Sequence, residues 1–330
     1  MTATLERVDA ARPAPAKGRA RSRARHRLTV LAFMAPAILG FAVFFGYPLA
    51  ATVVFSFTKY DLINPPEWIG LDNYTFMFAD KLFLTSVYNT AWFVVVLTFS
   101  RVLFALGVAS VVARLKSGVG LVRTLCYLPS LAPPVAATLV FFLVMRPNEG
   151  PLDAFLGWFG VESPLWFADP AWSKVGITAV MLWVSGDLMI IILAAVLDVP
   201  QEQYEAAELD GAGALRRWWH VTLPTISPVL MFGVVNSIIL ALQLFTQAVV
   251  AGSAASGAAD ITGATKNLGF PENSTLTFPV WLYTQGFRYF DMGYAAAMAT
   301  VLFIVSFAAT AALVQRMRKA SHQEEGGPGA

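Results

Sequence analysis

Residues 201–224 read QEQYEAAELDGAGALRRWWHVTLP and lie between two long apolar runs, at 174–197 and 225–250. Four further apolar runs lie outward of these in both directions, at 122–145, 87–113, 29–56 and 292–315. Each run reaches the roughly 20 residues that an α-helix needs to cross a bilayer. The chain is 57% apolar and 13% charged, against about 45–50% and about 25% in soluble domains. We therefore predict an all-α integral membrane protein with about six transmembrane helices.

The placement of lysine and arginine predicts the orientation of these helices. Most of the 23 basic residues lie in 1–27, in the connections at 114–123 and 216–217, and in 316–319. Cytoplasmic segments carry an excess of such residues, so both termini and the 201–224 segment are predicted to be cytoplasmic.

Composition further divides the chain. Residues 1–27 are rich in Ala, Pro and Arg, which predicts a disordered basic tail. A six-helix domain is expected over 28–317 and a second tail over 318–330. The first apolar run is too long for a signal peptide, so we expect it to be retained.

The 201–224 segment itself predicts two short helices joined by a sharp bend. Pro200 suits a helix start, and Asp210-Gly211 with Gly213 is expected to end the first helix. A second helix can then run from Ala214 to about Val221 and end before Pro224.

The first of these helices has two predicted faces. Tyr204, Ala207 and Leu209 are placed for packing, whereas the glutamates at 202, 205 and 208 project elsewhere. Two interpretations remain open on physical grounds: an amphipathic helix pair resting at the membrane interface, or a surface that contacts another protein.

The spacing of this segment resembles the EAA loop of binding-protein-dependent ABC importer permeases. Glu205-Ala206-Ala207 is followed by three residues, Gly211, nine residues, Val221, one residue, and Leu223-Pro224. Val221 stands where the family usually has Ile. Residues 35–61, 68–74 and 288–305 are similar to the first span, outer loop and last span of its carbohydrate-uptake, maltose-permease-like branch. The resemblance implies a type I ABC importer permease fold in a compact six-helix form.

That resemblance also implies a function. The chain would be the permease subunit of an importer that moves a sugar, an oligosaccharide or a related polyol inward across the bacterial plasma membrane. Its EAA loop would form a coupling helix in a cleft of a cytoplasmic ABC ATPase dimer, with Glu205 in polar contact, Ala206 and Ala207 in the cleft and Gly211 at the turn. The remaining residues expected to take part in coupling are Asp210, Leu223 and Pro224.

Several partners and cofactors follow from the same resemblance. A second permease subunit would form a heterodimer with this chain, and an extracytoplasmic solute-binding protein would deliver the sugar, with no nucleic acid involved. The chain has no G-x-x-x-x-G-K-[ST] phosphate loop. ATP and Mg²⁺ are therefore expected on the partner ATPase, and this chain is expected to bind no cofactor. Because Cys126 is the single cysteine, no disulfide or cysteine-based metal site is expected.

Polar residues within the apolar runs are candidates for the solute pathway. Asn236, Gln243 and Gln247 are spaced by seven and four residues, which predicts one face of a single helix. Their amides suit sugar hydroxyls, but hydrogen bonding between helices would explain them equally well. A bend at Pro133 and Pro134 is expected, either as a functional hinge or as a tolerated break.

Two ionisable residues, Arg101 and Asp187, are predicted to lie within the membrane. An isolated charge there is costly, so we expect the two to pair or to face a polar interior. The pair would be architectural or would act directly in transport. An ion- or proton-coupled secondary transporter that uses Asp187 and Arg101 is the alternative function, and a membrane scaffold is a third.

Overall fold

The computed structural model describes residues 17–115, 117–257 and 268–325, and the side chains of residues 29–316 within them. Parts of both predicted tails, Lys116 and residues 258–267 lie outside the described residues. The described chain is mainly helical. Its helices are α1 Lys17–Phe41, α2 Tyr47–Phe55, α3 Asp72–Ala79, α4 Lys81–Val112, α5 Val119–Tyr127, α6 Pro134–Val144, α7 Pro151–Gly157, α8 Ser173–Trp183, α9 Gly186–Leu197, α10 Gln201–Leu209, α11 Ala214–Arg217, α12 Leu223–Thr225, α13 Ser227–Leu242, α14 Thr246–Ala255, α15 Phe278–Tyr283 and α16 Met292–Glu325.

Short elements complete the description. Two strands, β1 Thr58–Lys59 and β2 Glu67–Trp68, pair antiparallel. Wider π turns occupy Ala42–Gly46, Trp218–Thr222 and Thr284–Arg288, and a tighter 3₁₀ turn occupies Leu128–Leu131.

The described helices account for six apolar crossings, of which three are bent. Thr29–Phe55, Lys81–Val112 and Met292–Arg316 are each long and apolar enough to cross a membrane. The other three are pairs of helices that qualify together: Val119–Leu131 with Pro134–Val144, bent by 103°, Ser173–Trp183 with Gly186–Leu197, bent by 52°, and Ala214–Thr225 with Ser227–Leu242, bent by 68°. The predicted number of spans is confirmed when each bent pair is taken as one.

The fifth predicted run, 225–250, is not one helix. α13 ends at Leu242, and Phe245 takes φ −123° and ψ −63° before α14 begins at Thr246. α13 is long enough to qualify as a crossing only together with the helix from Ala214 to Thr225, which is bent from it by 68°. The bend expected at Pro133 and Pro134 is present, where Pro133 is extended and α6 begins at Pro134.

Among the described residues, 17–54 form one compact unit. α1 begins at Lys17, so residues 17–27, which composition predicts to be disordered, are helical. Arginine and alanine are good helix formers, and these residues continue directly into the apolar helix. In the π turn that follows, the Tyr47 N–H donates to the Ala42 carbonyl. This wider turn precedes Pro48, whose ring would collide with the previous turn of a regular helix.

Residues from Phe55 onward form the second unit, in which α4 occupies the centre. α4 packs most extensively against α13 and α9, and also against α8 and α15. One buried apolar cluster surrounds its first half, with Phe93 and Leu97 fully buried. A second cluster surrounds its last turns and includes Ala109, Ile192 and Ile226.

The start of α4 also holds the connecting segments in place. Asp80 caps the helix by accepting a hydrogen bond from the Leu82 N–H at 2.9 Å, and its other oxygen accepts from Trp281 Nε1 at 2.8 Å and the Tyr294 hydroxyl at 3.0 Å. Between two and three turns further in, the Asn89 amide donates to two backbone carbonyls of the segment before α15, at 2.8 and 2.9 Å. These bonds fix that end of the helix bundle.

Candidate functional site

A left-handed turn joins the two helices of the EAA segment, by which we mean residues 201–225. Gly211 has φ of +76°, a backbone region that residues with a Cβ atom rarely adopt. The Gly211 N–H donates to the Glu208 carbonyl at 3.0 Å, and the Ala212 N–H donates to the Ala207 carbonyl at 2.9 Å. This pair of bonds is the Schellman motif that ends many helices at glycine. The bend therefore lies where the sequence predicts it.

The second helix of the segment is longer than the sequence predicts. α11, the π turn and α12 run on continuously from Ala214 to Thr225, so the expectation of an end before Pro224 is wrong. In the π turn the Leu223 N–H donates to the Trp218 carbonyl, five residues back. The extra residue in this turn accommodates the ring of Pro224, which would otherwise break the helix.

Three contacts between side chains hold the two helices of the EAA segment together. The Tyr204 hydroxyl bonds the Thr222 hydroxyl at 2.8 Å, and Thr222 is buried. The Thr225 hydroxyl donates to the Gln203 side-chain oxygen at 3.1 Å. Nearer the turn, an Arg217 guanidinium nitrogen lies 2.7 Å from a Glu208 carboxylate oxygen. The segment is thus braced at three levels and not only at its glycine turn.

The braced segment is also attached to the transmembrane helices. Trp218 Nε1 donates to the Ser110 hydroxyl of α4 at 3.1 Å. Val221 and Leu223 pack on the second apolar cluster, and the buried Ile226 follows directly at the bend into α13. A displacement of the EAA segment therefore acts on both α4 and α13.

The opposite side of the EAA segment is exposed. Glu205 and Ala206 face outward and Ala207 is half-buried. Leu209 is 90% exposed and Leu215 77% exposed, so the prediction that Leu209 packs within the chain is wrong. Leu209 is the last residue before the turn, where the helix projects away from the core. The result is a mixed surface of carboxylates, small residues and two large apolar side chains.

A second group of functional candidates lies inside the helix bundle. Arg101 of α4 is 3% exposed in its side chain, and its Nη2 lies 2.8 Å from both carboxylate oxygens of Asp187 on α9. Its Nη1 donates to the Asn236 side-chain oxygen at 2.9 Å and to the Ser237 hydroxyl at 3.2 Å, both on α13. The pairing of Arg101 with Asp187 is the one that the sequence predicts. Together these residues connect α4, α9 and α13.

The three amides do not share a helix face. Asn236 lies within α13, Gln243 follows its end, and Gln247 belongs to α14. The regular spacing of a single helix does not apply across the break at residues 243–245, so that prediction is wrong. Asn236 is engaged by Arg101, whereas Gln243 is exposed and Gln247 half-buried.

Sequence reasoning missed several residues that shape the site. Ser110, Thr222 and Thr225 are single hydroxyls in apolar or mixed surroundings, and nothing in their spacing indicates their partners. Among the side chains that the structure describes within residues 29–316, no group of three or more His, Cys, Asp or Glu residues is arranged to hold a metal ion.

Comparison with known proteins gives a consistent result. Residues 101–319 match the family model described as "binding-protein-dependent transport system inner membrane component". The chain is 33% identical to the probable ABC transporter permease protein YesP of Bacillus subtilis, over 88% of this chain and 91% of that protein. It is 30% identical to the sulfoquinovosyl glycerol transport system permease protein SmoG of Agrobacterium fabrum, over 88% and 91% of the two chains. It is 32% identical to the arabinooligosaccharides transport system permease protein AraP of Halalkalibacterium halodurans, over 83% of each.

Solved structures show the same fold. A chain of a bacterial alginate ABC transporter, crystallised with an alginate pentasaccharide-bound periplasmic protein, superposes with a TM-score of 0.76 at 18% identity. The match covers 91% of this chain and 97% of that one.

Proposed function

Because the chain belongs to the family of binding-protein-dependent transport system inner membrane components, we propose that it is the permease subunit of an ABC importer for a sugar or an oligosaccharide. The observation that carries this proposal is the EAA segment. It combines a rigid bend with an exposed surface, and it is attached to α4 through Trp218. A segment of this kind can receive a force from another protein and pass it to the transmembrane helices.

The partner on this surface is a cytoplasmic ABC ATPase dimer. Glu205 offers a carboxylate, Ala206 permits close approach, and Leu209 offers an apolar side chain that has no place to pack within this chain. Asp210 and Gly211 shape the turn, while Leu223 and Pro224 belong to the helix that leads into the bundle. ATP and Mg²⁺ bind to the ATPase, and this subunit contributes no catalytic residue.

The rest of the transporter follows from the same proposal. A second permease subunit pairs with this chain as a heterodimer, and an extracytoplasmic solute-binding protein delivers the solute at the opposite face of the membrane. The distribution of lysine and arginine supports cytoplasmic termini. The localisation is then the bacterial plasma membrane.

Sugars are the proposed solutes because of the relatives. The named relatives include permeases for sulfoquinovosyl glycerol and arabinooligosaccharides and a lactose transport system permease. Gln243 is the amide best placed to meet a solute, since it is exposed at the break between α13 and α14, whereas Asn236 is occupied by Arg101. An ion-coupled mechanism loses support because Asp187 is already paired.

Cysteine cross-linking tests the docking surface. Cys126 is first replaced by Ala, and Ala206→Cys is then introduced at the exposed position beside Glu205. The matched control is Thr222→Cys on the same segment, where the side chain is 3% exposed. In membranes that contain the co-expressed ATPase and second permease, a short thiol-to-amine cross-linker should join the Ala206→Cys variant to the ATPase. The control should not react.

Two outcomes would overturn the proposal. The first is an Ala206→Cys variant that transports sugar normally and yields no ATPase adduct. The second is labelling of equal intensity at both positions, which would show that the adduct reflects random collision. The solute class is tested separately, by measuring uptake of labelled oligosaccharides in cells that lack this chain and in cells to which it has been restored.

A further inference from the structure

A cavity lies behind the EAA segment, on the side that faces the transmembrane helices. Its volume is about 530 Å³, and its walls come from the ends of α4 and α9, the start of α10 and the second helix of the segment. Pockets that bind small molecules commonly measure about 300–1,000 Å³. The cavity is therefore large enough for a ligand and does not belong to the docking surface, which faces the other way.

The charges on the cavity walls have one sign. Arg114, just beyond the end of α4, and Arg217, on the second helix, both line it, and none of the described lining residues is acidic. Arg217 binds Glu208 through one guanidinium nitrogen. The other N–H groups of this guanidinium are not used by that ion pair and can bind a ligand. In the part of the chain that the structure describes, the Arg114 side chain forms no hydrogen bond or ion pair. Paired arginine forks are the usual recognition elements for phosphate groups.

The remaining walls suit an amphiphilic phosphate compound. Val196 and Val199 supply apolar surface, the Tyr204 hydroxyl supplies a polar group, and α10 begins at the cavity with Gln201. The residue that caps α10 is Pro200, which offers no side-chain acceptor. Its carbonyl accepts the Gln203 N–H at 3.1 Å, so the N–H groups of Gln201 and Glu202 remain available to an anion. The cavity also lies at the ends of α4 and α9, both of which belong to candidate crossings, and lipid headgroups are expected near the ends of such helices.

We propose that this cavity binds a phosphate group, carried by an anionic phospholipid or by a soluble phosphate compound, between Arg114 and Arg217. The bound phosphate joins the end of α4 to the second helix of the EAA segment. It therefore reinforces the same connection that the hydrogen bond from Trp218 to Ser110 makes. Binding of this kind makes the stiffness of the connection between α4 and the EAA segment depend on the lipid composition of the membrane or on the concentration of a cytoplasmic metabolite.

The test measures binding to the purified full chain in a neutral detergent. Three probes are titrated: dihexanoyl phosphatidylglycerol, inorganic phosphate and the zwitterionic dihexanoyl phosphatidylcholine. Arg114→Gln is compared with Arg216→Gln, which removes the same charge from the same face but lies outside this cavity. We expect Arg114→Gln to weaken binding of the anionic probe by roughly tenfold or more, as a lost charge-assisted hydrogen bond predicts. Arg216→Gln should retain wild-type affinity.

Each outcome decides the question. Binding of phosphatidylglycerol but not of inorganic phosphate, lost in Arg114→Gln, supports the proposal with a lipid as the source. Binding of both probes, lost in the same variant, supports it with a soluble phosphate compound as a source as well. Equal weakening by the two variants means general surface attraction and overturns the proposal. It is also overturned if phosphatidylcholine binds as well as phosphatidylglycerol, or if no anionic probe binds.

Discussion

Removing Asp187 should destabilise the protein more than removing Asp187 and Arg101 together. Asp187→Ala leaves the Arg101 guanidinium 3% exposed with only the neutral partners Asn236 and Ser237. Breaking a buried ion pair by removing one partner costs about 3–5 kcal/mol. Because the Asp187 side chain is 47% exposed, the ion pair is only partly buried, so we expect a loss of unfolding free energy near the lower end, about 3 kcal/mol.

The second variant of the cycle is Arg101→Met, which keeps much of the side-chain volume. It leaves a half-exposed carboxylate, together with the unpaired Asn236 and Ser237 groups. Each of the two lost hydrogen bonds is worth about 0.5–1.5 kcal/mol, so we expect a total of about 1–3 kcal/mol, centred near 2 kcal/mol. The double variant lacks the stranded charge and should resemble Arg101→Met rather than the sum of the two.

The assay is an unfolding titration with SDS in mixed micelles, followed by circular dichroism, on all four forms of the cycle. Asp198→Ala serves as a control, because Asp198 is an exposed carboxylate at the other end of α9, and its removal should change the free energy of unfolding by less than about 0.5 kcal/mol. Two results would refute the argument that the polar cluster depends on the pair of Arg101 and Asp187. One is an unfolding free energy of Asp187→Ala equal to that of the control. The other is a loss in the double variant equal to the sum of the two single losses.

Three further experiments test the EAA segment and the packing of the helices around it. Gly211→Ala should lower the free energy of unfolding by about 1–2 kcal/mol because Gly211 holds φ +76°. Gly213→Ala, at φ −68°, should leave that free energy almost unchanged. Equal effects of the two variants on transport-coupled ATP hydrolysis would contradict this expectation. Gly186→Ala should lower the free energy of unfolding by about 1–3 kcal/mol, because a Cβ atom at this position would collide with the backbone of α5. Normal yield and normal thermal stability of this variant would disprove the close contact. Trp218→Phe and Ser110→Ala should each lower the free energy of unfolding by about 0.5–1.5 kcal/mol. The loss in the double variant should be smaller than the sum of the two single losses. Additive losses would show that the hydrogen bond between Trp218 and Ser110 contributes nothing to stability.

The number of crossings and the bend in the EAA segment could be predicted from the sequence because each depends on local information. A run of about 20 apolar residues is long enough to cross the bilayer, whatever the rest of the chain contains. Asp210-Gly211 ends a helix because of its own backbone preference. The pairing of Arg101 with Asp187 was also predictable, since very few ionisable residues lie within the apolar runs and each needs a partner.

Other features could not be predicted because they depend on distant contacts. The break at Gln243 and Phe245 contains neither glycine nor proline, so no local signal distinguishes it from a continuing helix. Ser110 receives its bond from a residue 108 positions later. Leu209 follows the periodicity of a packed residue but lies beyond the edge of the core, which periodicity alone does not define.

α4 contains 32 residues, which corresponds to about 48 Å of helix. Its first turns hold the segment before α15 through Asn89, and its last turns hold the EAA segment through Ser110. One unbroken helix thus connects the two segments over the 21 residues from Asn89 to Ser110, about 32 Å. A displacement of the EAA segment can therefore reach the segment before α15 without passing through a bend.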